Sequence, residues 1–82
     1  MKDRIRIDTM HEAERFVNIV QKLEGNIVVT DGKYTVNGKS LLGMIYAAST
    51  DFANLWVISD NDIYSHIKEF IIEASAEGED EE

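Results

Sequence analysis

Apolar residues in this chain recur with two alternating periods, and no segment that carries either period is long enough to bury its own apolar side. Arg4-Ile5-Arg6-Ile7 alternates charge with β-branched residues, the pattern of a strand with Ile5 and Ile7 toward a core. Thr9-Met10-His11-Glu12 has capping-box spacing, in which Thr9 caps a helix and Glu12 reaches back to the Thr9 amide. Ala13, Phe16, Val17, Val20 and Leu23 then step by three and four along one helical stripe, which Gly25 can terminate. Asn26–Thr30 and Lys33–Val36 are β-rich runs on either side of Asp31-Gly32, the composition of a two-residue hairpin turn. A short helix begins at Ser40 and breaks at Ser49-Thr50-Asp51, and Leu55–Ser59 supplies a last strand. Asp60-Asn61-Asp62 offers caps for a final helix with a stripe of Ile63, Ile67, Phe70, Ile71 and Ala74. The order is β-α-β-β-α-β-α. Four short strands with one apolar face need a cover, and three amphipathic helices supply one, which predicts a two-layer α+β sandwich with its other face open.

With 82 residues the chain has room for one core, burying about 60–65% of the surface an unfolded chain exposes. We therefore expect a single domain over residues 1–76 and an acidic tail over 77–82. The net charge of −8 argues against a nucleic-acid surface. Much of that charge is local: Glu77, Glu79, Asp80, Glu81 and Glu82 are five of the sixteen acids, and the remaining eleven against eight bases leave −3. There is no cysteine, which removes disulfides and thiolate metal sites. No apolar run approaches the ~20 residues of a membrane span, and Met1-Lys2-Asp3-Arg4 is not followed by a signal-type apolar stretch. A cytoplasmic location, no membrane insertion and no cofactor are expected.

Conformation, chemistry and surface character all change within Asn37-Gly38-Lys39-Ser40-Leu41-Leu42-Gly43-Met44-Ile45. Asn37-Gly38 closes the hairpin strand. Ser40 is placed as an N-cap, its hydroxyl accepting from a first-turn amide. A phosphoryl group on that hydroxyl would meet the positive end of the helix dipole, which stabilises exposed anions by about 0.3–1 kcal/mol. At least two of Leu41, Leu42, Met44 and Ile45 must enter the core; the others can remain outside as a docking patch. Gly38-Lys39-Ser40 is not a P-loop, because that motif needs glycine five positions before Gly38, where Lys33 stands.

The two histidines do not make a metal or acid–base site by themselves. His66 reads as a boundary residue of the last helix. His11 lies in the first turn of its helix, where backbone amides favour an anionic phosphohistidine, although an exposed first-turn residue without function is the better reading of the pattern. Trp56 and Phe52 read as core or edge packing, since no basic patch accompanies them as a base-stacking platform requires.

Lys39-Ser40-Leu41-Leu42-Gly43-Met44-Ile45 resembles the regulatory-serine segment of the HPr phosphocarriers of the bacterial sugar phosphotransferase system, Lys-Ser-Ile-Met-Gly-Val-Met in many members. Element order is similar over residues 4–75, and Phe16-Val17 resembles the Phe-Val pair of the family's first helix, with no gap between it and Ser40. The resemblance implies an HPr-like open-faced β-sandwich: a four-stranded antiparallel sheet covered on one face by three helices. In the same alignment the family's phosphorylated histidine falls on Thr9, its arginine on His11 and its proline on Glu12. Threonine is a poor substitute for an imidazole that accepts and releases phosphate. The resemblance thus implies a non-enzymatic regulatory protein phosphorylated on Ser40 by an HPr kinase, with Lys39, Leu41, Leu42, Gly43 and Ile45 meeting a transcriptional regulator or another phosphotransferase-system protein. Phosphate transfer through His11 and a pure interaction domain are the alternatives.

Overall fold

In the computed structural model, residues 1–51 and 54–73 are described; Phe52, Ala74 and the acidic segment 77–82 lie outside them. The elements are β1 (Lys2–Ile5), α1 (Met10–Val20), β2 (Ile27–Thr30), β3 (Thr35–Asn37), α2 (Leu41–Asp51), β4 (Leu55–Ser59), α3 (Tyr64–Ile67) with a 3-10 turn Lys68–Phe70, and β5 (Ile71–Glu73). The strands form one sheet in the order β3-β2-β4-β1-β5, with every neighbouring pair antiparallel. The helices cover one face, giving the open-faced β-sandwich expected from element order, with five strands in the sheet where four were expected.

The core lies between the layers. Ile5, Ile27, Val29, Leu55 and Val57 come from the sheet, and Ala13, Phe16, Val17 and Val20 from α1. Ile7 is also fully buried, although β1 ends at Ile5. The alternation thus assigns the inward side chains correctly while placing the strand two residues late. Phe16 meets Phe70 edge to face, with centroids 5.4 Å apart and planes at 79°; such pairs add about 0.5–1.5 kcal/mol beyond burial. Arg15 pairs with Glu69 beside this contact and lies 6.0 Å over the Phe70 ring.

Two expectations about helix length change. α2 runs through Asp51 rather than breaking at Ser49, and Ser49 Oγ donates to the Tyr46 carbonyl within the helix (2.8 Å). Here the Ser-Thr-Asp signal yields to helical continuation with Ala47 buried against the core. The final helix is shorter than its stripe implied. Ile63, Ile67 and Phe70 are buried as expected, but Ile71 turns extended (φ −74°, ψ 126°) and starts a strand on the outer edge of β1. Ile5 lies opposite Ile71, and the Arg6 amide donates to the Phe70 carbonyl at 2.9 Å. Pairing the open β1 edge with two successive β-branched residues prevails over the helical period.

The cap assignments shift as well. Asp60 and Asn61 serve the loop after α1: Asp60 accepts from the Asn26 amide (2.9 Å), and the Asn61 amide group donates to the Glu24 carbonyl (3.1 Å). Asp62 accepts from the Tyr64 amide at 3.1 Å, and Ile63 is the N-cap without a side-chain bond. Gly25 sits at φ 89°, which favours glycine, and a Cβ there would also stand 2.8 Å from the Asn61 side-chain amide, which would have to shift.

The β2–β3 turn centres on Gly32-Lys33 rather than Asp31-Gly32. Asp31 Oδ1 accepts from the Lys33 and Tyr34 amides, both at 2.8 Å, and the Asp31 amide donates to the Tyr34 carbonyl. Thr30 consequently pairs with Thr35, and partners move by an even number, so Val29 and Val36 still share one face. The two amide bonds hold the Asp31 carboxyl below the ordinary aspartate value.

Replacing Phe16 with Ala should lower the unfolding free energy by about 3–5 kcal/mol, read as a lower urea midpoint at unchanged slope. For Asp31 the sign follows from its depressed folded value: its contribution is complete above the unfolded value near about pH 4 and disappears as pH falls through the lower folded value. The stability gap between the parent chain and Asp31→Ala should therefore be constant at neutral pH and close on acidification.

Candidate functional site

α1 and α2 pack antiparallel, as the contacts at their two ends show. At one end the Gln21 side chain donates to the Lys39 carbonyl (3.2 Å), and the Lys39 ammonium donates to the Leu23 carbonyl (2.6 Å). At the other, Asp8, Thr9 and Met10 border a shallow groove with Ile45, Ala48 and Ser49. The expected phosphate-bearing positions therefore lie apart. Ser40 begins α2 beside the end of α1, whereas Thr9 and His11 sit at the start of α1. The eleven residues of α1 separate them by roughly 16 Å.

Ser40 caps α2. The Gly43 amide donates to Ser40 Oγ (3.2 Å), the Met44 amide donates to the Ser40 carbonyl (2.9 Å), and the Ser40 amide donates back to the Asn37 carbonyl (3.0 Å). The residue is half-buried, and its hydroxyl neighbours the free amides that every helix start presents. Lys39 is committed to the loop after α1 rather than poised over Ser40. Gly43 lets the helix settle on β3, since a Cβ there would lie 3.2 Å from Val36 Cβ.

The four apolar residues after Ser40 divide between the layers. Met44 is fully buried, Ile45 is half-buried, Leu41 is 37% exposed and Leu42 is 81% exposed. Leu42 is not alone on the surface. Tyr46 follows one turn later, about half exposed, and meets Tyr34 of the hairpin edge to face at 6.4 Å. Met10, at the start of α1, is also exposed, at 63%. Sequence reasoning overlooked Tyr34, Tyr46 and Met10. The four-residue spacing of Leu42 and Tyr46 was an available signal; the Tyr34 contact depends on the hairpin folding against α2.

At the start of α1, Thr9 Oγ1 accepts from the Glu12 amide (3.1 Å), so Thr9 is the N-cap as expected. Glu12 reaches one residue beyond the expected partner, accepting from the Asp8 amide at 2.7 Å. His11 is exposed, with Nδ1 3.9 Å from a Glu14 carboxylate oxygen. That carboxylate opposes a second anion on the ring. His66 is exposed rather than partly buried.

Among the described residues, no three His, Asp or Glu side chains converge to hold a metal ion, and no helix is long and apolar enough to cross a membrane. Fold and surface together define a small α+β domain, an open antiparallel sheet with three packed helices, consistent with the HPr-like fold superfamily. The sequence matches no known family and no curated protein.

Ser40→Ala removes the cap acceptor and should cost about 0.5–2 kcal/mol, measured by urea unfolding. Ser40→Asp keeps an acceptor at the same place and should recover most of that loss, which separates capping from any role of the hydroxyl as a phosphate acceptor.

Proposed function

We propose that this chain is a regulatory phosphoacceptor of the HPr-like kind, modified on Ser40 and read by a protein that docks on α2. The observation that carries this reading is the union at one helix start of a half-buried capping hydroxyl with the exposed Leu41 and Leu42 side chains. Transfer of the ATP γ-phosphoryl group to Ser40 Oγ releases ADP and the hydroxyl proton and places about −1.5 to −2 charges at the positive end of α2. Because the oxygen already accepts from Gly43, the helix is retained and the docking face changes in charge rather than in shape. The chain is then a kinase substrate and a ligand, not an enzyme. Lys39, Leu41, Leu42, Gly43 and Ile45 bound the contact, with Tyr46 extending it, and the reader is a transcriptional regulator or another phosphotransferase-system protein.

Thr9 in place of an imidazole and a carboxylate beside His11 weigh against a carrier role at the start of α1. The test is intact-mass analysis after incubation with ATP and HPr kinase, and separately with phosphoenolpyruvate and enzyme I, each followed by brief acid treatment. One acid-stable phosphate from ATP, absent in Ser40→Ala, is the expected result. An acid-labile phosphate from phosphoenolpyruvate, lost in His11→Ala, would make the chain a carrier; no phosphate in either reaction would leave an interaction domain.

A further inference from the structure

The sheet face without helices carries its own chemistry. Trp56 on β4 lies opposite Arg4 on β1, and Ile58 opposite Lys2. The Lys2 ammonium is 5.3 Å and the Arg4 guanidinium 6.0 Å from the Trp56 ring centroid. Two cations over one indole, beside an Ile58 that is 37% exposed, make a basic and aromatic shelf on a chain of net charge −8. Cation–π pairs of this kind contribute more when desolvated, and among the described residues no helix packs on this side.

We propose that the shelf is the seat of the chain's own acidic segment, Glu77–Glu82. β5 runs antiparallel along the outer edge of β1 with Glu73 opposite Arg4, so this strand runs toward the Lys2 end of β1. Trp56 stands two strands in, about 10 Å from β5 at ordinary strand spacing, and the four residues from Glu73 to Glu77 span up to about 13 Å. The five carboxylates that follow complement the two cations in sign. Tethering supplies an effective concentration of order millimolar, whereas a nucleic-acid strand or a separate acidic peptide must overcome the repulsion of an anionic chain. Seated there, the segment shields Trp56 and brings carboxylates to Lys2, on the only face where cations stack over an indole among the described residues. This assignment is independent of phosphorylation at Ser40, which lies on the helical layer.

Trp56 is the only tryptophan, so acrylamide quenching of its fluorescence reads the shelf directly. The full chain is compared with a variant of equal length in which Glu77, Glu79, Glu81 and Glu82 become Gln and Asp80 becomes Asn. The neutral variant should quench about 1.5–2-fold more efficiently, and 1 M salt, which shortens the screening length to about 3 Å, should raise the parent to the same value without moving the variant. Lys2→Gln should reproduce the change in a chain with its acids intact. Equal quenching of parent and neutral variant overturns the proposal. Protection that fades on dilution also overturns it, assigning the acids to a second copy. So does protection gained when a single-stranded oligonucleotide is added to the parent, which would assign the shelf to nucleic acid.

Discussion

The edge-to-face contact of Phe16 with Phe70 holds together parts of the chain that no backbone pairing connects. Phe16 belongs to α1 and Phe70 to the turn after α3, and both are buried over the same sheet. Once Phe70 is seated, the chain is delivered to the outer edge of β1, where Ile71 pairs with Ile5. The fifth strand is thus a consequence of core packing: the aromatic ring fixes where the backbone emerges, and the unpaired edge supplies hydrogen bonds to it. Arg15 and Glu69 reinforce the same junction from its exposed side, where an ion pair adds little by itself.

The inward sides of β1, α1 and α3 were legible in the sequence, because burial imposes a period on the residues themselves. Ile5, Ile7, Phe16, Val17, Val20, Ile63 and Ile67 are all buried where their spacing placed them. Ends of elements were less legible. Whether Ser49 stops a helix depends on what Ala47 packs against, and whether Ile71 continues one depends on an edge strand sixty-six residues earlier at Ile5. The turn at Asp31 was misplaced for a local reason: its carboxylate binds two amides, a preference that composition alone does not distinguish from the Asp-Gly turn.

The candidate site divides in the same way. Ser40 as a cap followed from residue type and position, and Leu42 as an exposed apolar residue was one of the allowed outcomes. The separation of Ser40 from His11 could not be read, since it depends on α1 and α2 lying antiparallel. Nor could the tyrosine pair be read, which joins a hairpin loop to the middle of a helix. Capping is encoded by near neighbours; a composite surface exists only after the layers meet.

Gly38 and Gly43, on either side of Ser40, are both fitted against the hairpin. A Cβ on Gly38 would approach Ile27 Cγ2 to 2.9 Å, and one on Gly43 would crowd Val36. Leu42, between them, touches solvent over most of its surface. Substitutions at such exposed positions typically alter stability by only about 0.5 kcal/mol, whereas changes at the two glycines must displace the strands beneath. The segment therefore separates what evolution can vary from what it must keep: a lineage can rewrite the side chain offered at Leu42 by single replacements, while the backbone that presents it stays in place.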